Sequence, residues 1–274
     1  MSFKSSPQIM DILALHAKWR PESRAVSDGI NHITWAELDD ITSKIATGLL
    51  KHDVKPGDNI AVLMSNSLEM MYILFGIAKA GCCSVPLNVS VEDQALINML
   101  KDADAKITFV SDDHSGRLSR SNTQEIIVAN LTGFTDSFTN WLPQSSAPAQ
   151  AATSSNAPMN IIYSSGTTGL PKGIIATFEG RRNWAYDLSI EYGFSEQSKT
   201  LIATGLYSNI SWATMLATMI SGGTVVIAPN KFDAAETVER IFKNKITHTA
   251  MVPVQYQRIM ELGALNTKHL TSMT

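Results

Sequence analysis

The chain has 274 residues, 44% hydrophobic and 17% charged, with a formal net charge of −3. It is long enough to bury roughly 70–75% of its surface, in one large domain or two smaller ones, and it lacks the basic footprint expected of a nucleic-acid partner. Its two cysteines, Cys82 and Cys83, are adjacent, so the sequence offers neither a disulfide framework nor a zinc spacing; small apolar filler in a strand of a cytoplasmic protein is expected.

In chain order, helices and β-rich segments alternate. Ser6-Pro7 opens a helix with Ile9, Ile12 and Leu13 on one face, ending before Pro21. Its polar start, with Asp11 and Lys18 in the first apolar face, does not fit a secretory signal. Arg24 to Ser27 and His32 to Thr34 flank an Asp28-Gly29 turn and predict a hairpin. Thr34 and Glu37 form a capping box ahead of a helix striped by Leu38, Ile41, Ile45 and Leu49. Then come a strand from Asn59 to Met64 and a helix capped by Asn66 or Ser67. A strand from Cys82 to Pro86, a helix from Val91 to Asp102, and strands at Lys106 to Val110 and Glu125 to Val128 follow. This order predicts parallel sheets covered by helices.

Residues 143–158 are rich in Pro, Ala and Ser and predict a loop or lobe boundary. Beyond it lie a strand–loop–strand unit, a helix from Arg181 to Glu191, a strand from Thr200 to Ala203 and a helix from Ile210 to Ile220. A strand from Thr224 to Ala228, a helix capped by Asp233, a strand from Thr247 to Val252 and a last helix opened by Pro253 complete the series. The fold class is therefore α/β: alternating β-α lobes with mainly parallel sheets flanked by helices. The lobes are expected at 1–157 (with 143–157 a loop) and 158–274. Thr200 to Asn230 carries no charge, but Ser208, Asn209, Ser211, Gly222 and Gly223 break it, so it reads as a buried helix–turn–strand and no membrane span is expected.

The chemistry concentrates in Tyr163-Ser164-Ser165-Gly166-Thr167-Thr168-Gly169-Leu170-Pro171-Lys172-Gly173. Glycines let backbone N–H groups converge on one point, hydroxyls add donors that rotate to fit, and Lys172 adds a mobile positive charge. These are the needs of a polyphosphate. A Walker loop requires glycine before its lysine and Ser or Thr after it; here Pro171 precedes Lys172 and Gly173 follows.

This run resembles the phosphate loop of the adenylate-forming superfamily, which comprises acyl- and aryl-CoA synthetases, peptide-synthetase adenylation domains and beetle luciferases. Ile33-Thr34-Trp35-Ala36-Glu37-Leu38, Lys79 to Asn88 and Gly222-Gly223-Thr224-Val225-Val226 resemble further segments of the same family, in order. The resemblance covers nearly all of the chain and implies its layered α/β N-terminal domain, C-terminally incomplete. The magnesium-binding Thr-Glu segment, the ribose-gripping Asp and the small C-terminal domain with the catalytic lysine are expected beyond Thr274. Apolar surface left uncovered there would favour a homodimer.

The resemblance implies an acid–CoA ligase that activates a carboxylic acid with ATP and Mg²⁺ and then transfers the acyl group to coenzyme A; the alternative is a truncated, non-catalytic nucleotide- or acyl-binding protein. Ser164, Ser165, Gly166, Thr167, Thr168, Gly169 and Lys172 would hold the ATP phosphates. Tyr207, Ser208 and Asn209 resemble the segment at the acyl pocket, with Ser208 where many members have His and Gly205 where many have Pro; Val252 and Pro253 resemble another lining segment. Tyr207 and Trp212 read equally as core aromatics, and Val252-Pro253 as a helix start. Amino-acid-activating relatives place an aspartate near Ser208, and none occurs between Thr200 and Asn230, which favours a fatty or aryl acid. Arg181-Arg182 reads as a solvated helix face or a phosphate contact, and His248 as a satisfied core or edge residue. No histidine spacing suggests a metal ligand set.

Overall fold

The computed structural model describes residues 7–118, 125–129, 136–146, 154–164, 171–229 and 231–263. The first half runs α1 (Ile9–Trp19), β1 (Arg24–Ser27), β2 (His32–Thr34), α2 (Trp35–Lys51), β3 (Asn59–Leu63), α3 (Leu68–Lys79) and β4 (Cys83–Pro86). It continues through α4 (Asp93–Asp102), β5 (Ile107–Ser111), β6 (Glu125–Ala129) and α5 (Asp136–Trp141). The second half runs β7 (Pro158–Ser164), β8 (Lys172–Thr177), α6 (Phe178–Glu191), β9 (Lys199–Ile202) and α7 (Asn209–Ser221). It ends with β10 (Thr224–Ile227), α8 (Ala234–Asn244), β11 (His248–Ala250) and α9 (Pro253–Glu261).

Two sheets form. The first has the order β6-β5-β3-β4-β7-β8 and the second β11-β9-β10-β1-β2. All neighbours pair in parallel except the last two of each sheet, β7 with β8 and β1 with β2, which are antiparallel hairpins. The α/β class and the mainly parallel pairing are thus as the alternation of elements implies. Buried on both faces, β3 and β5 read as continuous apolar or small runs, as parallel strands must.

The sheets do not divide the chain at residue 157. Strands β1 and β2 belong to the sheet of the second half, and β7 and β8 to the sheet of the first. Alternation along a strand reveals which face is buried but not which strand lies beside it, so this exchange is invisible in the sequence pattern.

Helix α3 explains how the sheets meet. Residues Glu69 to Ala78 are all buried, and a helix buried all round belongs inside the protein. It packs on α1 and α2, on β3 and β4 of the first sheet and on β1 of the second. Ser67 caps it, accepting from the Met70 N–H at 3.1 Å. One apolar cluster surrounds α3 between the sheets; two smaller ones lie under α4 and under α8 and α9. Thr34 and Glu37 complete their capping box at 3.2 and 2.7 Å, and Asp233 caps α8 through the Glu236 N–H at 2.8 Å. Cys82 and Cys83 are free and buried, and burial pushes both thiols up to about 12.

Two consequences can be measured. A Cβ at Gly76 of α3 would stand 2.6 Å from Cβ and Cγ2 of Ile45 in α2, itself fully buried. Gly76→Val should therefore cost about 1–3 kcal/mol through overpacking, read as a lower urea midpoint. Secondly, His16 donates from Nε2 to the Ile220 carbonyl at 3.0 Å, while its buried Nδ1 has no partner. Burial holds this imidazole below its usual 6.5. Its folded pKa is depressed, so the unfolded state binds the proton more readily and stability falls as pH drops below 6.5. Urea titrations between pH 7.5 and 5.5 should show a shallower decline in His16→Gln than in the parent protein.

Candidate active site

The phosphate-loop candidate is the tip of the β7–β8 hairpin. Ser164 pairs with Lys172, Tyr163 with Gly173 and Ile162 with Ile174, so Ser164 and Lys172 stand side by side, both exposed, as the posts of the loop. Ser165, Gly166, Thr167, Thr168 and Gly169 lie outside the described residues. Both strands of the hairpin are fixed, β7 beside the loop and β8 at its far end. Tyr163 donates from its hydroxyl to Asp102 Oδ2 at 2.6 Å, and burial together with that carboxylate raises its pKa. On the other side Thr177 caps α6, accepting from the Gly180 N–H at 3.0 Å.

The cap starts α6 at Phe178, three positions ahead of the helix the sequence predicts at Arg181. Arg181 therefore lies inside the helix and turns inward. The solvated-face reading of Arg181-Arg182 is overturned: the two are 4% and 7% exposed. Arg181 donates from Nε to Asn160 Oδ1 in β7 at 2.8 Å and from Nη2 to Asn209 Oδ1 at the start of α7 at 2.7 Å. Its Cζ lies 5.1 Å from the Trp184 ring and 5.4 Å from the Trp212 ring. Burial lowers its pKa to about 10, still well above neutrality, so the guanidinium is charged.

The second candidate segment leaves the C-terminal end of β9, where open α/β sheets receive ligands. Trp212 is core: it is 1% exposed and donates from Nε1 to the Leu206 carbonyl at 2.8 Å. Tyr207, Ser208 and Asn209 are half-buried. A Cβ on Gly205 would come within 2.1 Å of the Tyr207 ring, so the ring folds back over Gly205 and a larger residue there would have to displace it. Ser208 sits at the N-cap of α7 without offering its side chain to the helix.

Val252 and Pro253 reach the same edge from β11. The strand is shorter than the sequence predicts because Val252 N–H donates to Gln255 Oε1 at 3.0 Å instead of continuing the ladder. Gln255 Nε2 then donates to the Ala203 carbonyl at 2.9 Å, binding the first turn of α9 to the end of β9. Val252 and Pro253 are both exposed. His248, on the edge strand β11, is buried, stacked on Phe194 at 4.0 Å and bonded through Nε2 to the Tyr192 carbonyl.

Sequence reasoning missed Asn66. Its Nδ2 donates to the Thr204 carbonyl at 2.9 Å and the Ala228 carbonyl at 3.3 Å, and its Oδ1 accepts from Leu206 N–H at 2.8 Å. One amide beyond β3 of the first sheet thus holds the ends of β9 and β10 in the second. Asn66 also lines a cleft of about 540 Å³ between the β1–β2 turn and the end of β10, which includes none of the phosphate- or acid-site residues expected from the sequence. A serine–aspartate–histidine group nearby is not a triad. Asp113 and Ser65 both approach His114 at Nε2, at 3.5 and 3.1 Å, whereas a triad needs them on opposite ring nitrogens.

The AMP-binding enzyme family profile matches residues 13–274. The chain belongs to this family. Polyketide synthase PksN of Bacillus subtilis (strain 168) is 26% identical over 265 residues, covering 94% of this chain and 5% of that protein. Feruloyl-CoA synthase of Amycolatopsis sp is 27% identical over 253 residues, covering 89% of this chain and 48% of that protein. Among solved structures, the inhibitor-bound N-terminal domain of FACL13 from Mycobacterium tuberculosis superposes with a TM-score of 0.84 at 22% identity, covering 96% of this chain and 68% of that one. This AMP-binding chain therefore spans about half the length of its CoA-synthase relative, and its fold is that of the N-terminal domain of adenylate-forming enzymes.

Asn66→Ala would leave one N–H and two carbonyls at the site without their partner. It should destabilise the protein by about 1–3 kcal/mol, read by urea denaturation, and Asn66→Asp, whose carboxylate would face the Thr204 and Ala228 carbonyls, should not restore that stability.

Proposed function

We propose that this AMP-binding domain serves an ATP-dependent acid–CoA ligase. A carboxylate oxygen of the acid attacks the α-phosphorus of ATP, the bond to the β-phosphate breaks, and pyrophosphate leaves an acyl-adenylate. The thiol of coenzyme A then attacks the acyl carbon and AMP departs. Such chemistry needs positioning and stabilisation of charge on the leaving pyrophosphate. Lys172, exposed beside Ser164 at the hairpin tip, supplies a positive charge there, and Ser164, Ser165, Gly166, Thr167, Thr168 and Gly169 supply hydroxyl and N–H donors. This pairing is the observation that carries the reading.

Tyr207, Ser208 and Asn209, with Val252 and Pro253, border the acid. The absence of any carboxylate from Thr200 to Asn230 favours an acid without an α-amino group over an amino acid. Among the described residues no group of three His, Cys, Asp or Glu side chains is placed to hold a metal ion. Magnesium would arrive with the nucleotide. No helix among the described residues is long and apolar enough to cross a membrane, and the two buried free thiols suit the reducing cytoplasm we propose as its compartment.

The test is acid-dependent exchange of labelled pyrophosphate into ATP by the intact protein. Lys172→Ala should lower the exchange rate by roughly 10²-fold with the thermal midpoint unchanged. Equal rates would remove Lys172 from the reaction. Nucleotide binding without exchange for any acid would favour a non-catalytic binding protein.

A further inference from the structure

Arg181 is a buried cation with no anion. Among the described residues no Asp or Glu lies within ion-pair distance of it. Its hydrogen-bond partners are two neutral amides and its other neighbours two tryptophan faces. Burying an ion without a counter-ion is costly, and amide oxygens and rings offset only part of that cost.

The surroundings hold a surplus of donors. Nη1 of Arg181 has no hydrogen-bond partner among the described residues, and it is not one of the fully enclosed unpaired atoms, so it retains contact with open space. Asn160 is fully buried, and its Nδ2 has no partner. Rotating that amide would set its NH₂ against the guanidinium, so Arg181 itself fixes the unpaired donor in place. The third member, Asn209, is the first residue of α7, a helix with no acidic residue in its first turn and no side-chain cap, so the positive end of its dipole adds to the same field.

One hydrogen bond ties the cluster to the candidate acid segment. Arg181 Nη2 donates to Asn209 at 2.7 Å, and Asn209 directly follows Tyr207 and Ser208, which are half-buried where Arg181 and Asn160 are buried. An acid held with its reacting carboxyl toward the phosphate loop would therefore turn its other end to the guanidinium.

We propose that Arg181, with Asn160 and Asn209, recognises a second anionic group on the acid, so that the substrate is a dicarboxylic acid or an acid bearing an equivalent anion at its distal end. This rests on the acid-ligase reading above and deepens it. The distal anion supplies the counter-charge that Arg181 lacks and the acceptor that Asn160 Nδ2 lacks. A monoacid of the same length leaves both unmet, and unmet buried polar groups are the strongest basis a site has for rejecting an analogue. Arg181 is then a specificity-determining residue that takes no part in bond making.

The experiment compares matched mono- and dicarboxylic acids, aliphatic and aryl, in pyrophosphate exchange by the intact protein and its Arg181→Leu, Arg181→Lys and Asn160→Ala variants. Circular dichroism confirms that each is folded. The parent protein should prefer the diacid, and the diacid-to-monoacid ratio of kcat/KM should fall roughly 10²-fold in Arg181→Leu and by less in Arg181→Lys. A parent protein that exchanges only with monoacids, or an Arg181→Leu that loses both acids equally, would overturn the inference and leave the ligase reading intact. Exchange with no acid would remove the ligase reading. The melting curve then decides separately: a diacid that raises Tm in the parent but not in Arg181→Lys or Asn160→Ala supports the anion site, and no shift in the parent rules it out. If Arg181→Leu fails to fold, the same ratios in Arg181→Lys and Asn160→Ala carry the test.

Discussion

Helix α3 has no polar face, and the rest of the molecule is arranged to meet that constraint. A helix apolar on every side cannot lie against one sheet, because its far side would stay in water. Here β3 and β4 cover it from the first sheet, β1 from the second, and α1 and α2 from the flank. The exchange of hairpins follows from the same need. With β1 and β2 completing the second sheet and β7 and β8 the first, the chain crosses between sheets on both sides of α3, so neither half can close its core without the other.

The candidate site lies where those crossings converge. The parallel strands β9, β10 and β11 end at one edge, and two side-chain amides hold it. Asn66 reaches over from the first sheet, and Gln255 ties α9 back to β9. Arg181 adds a third link, from β7 before the phosphate loop to the first residue of α7. The β7–β8 hairpin and the turn after β9 are therefore linked through buried polar groups whose loss would leave other groups unpaired.

Much of the scaffold could be read from the sequence because it depends on local chemistry. The Thr34–Glu37 capping box, the Asp233 cap and Pro253 at the first position of α9 act within a few residues of themselves. The site was less legible because it depends on distant partners. Asn66 reads as a helix cap beside Ser67, and nothing local distinguishes an asparagine that caps from one that reaches residues 138 and 162 positions away. Arg181 was misread because its helix starts three residues earlier than predicted, which turns the face. Thr177, a good capping residue directly after the apolar run of β8, was the signal that could have corrected it. The Tyr163–Gly173 run stands out in the sequence because composition and spacing within one short stretch mark it.

Placing that loop on an antiparallel hairpin, not on a turn between strand and helix, has a physical consequence. In a strand-to-helix turn the helix N-terminus itself fixes the anion. Here the helix after the loop, α6, begins only beyond β8, so the loop is carried on two strands, of which β8 is the outermost in its sheet and has Ile174 and Ile175 48% and 60% exposed. An edge strand has ladder bonds on one side only and resists displacement less than a central one. The hairpin is nonetheless anchored at Tyr163 by Asp102 and at Thr177 by the cap of α6.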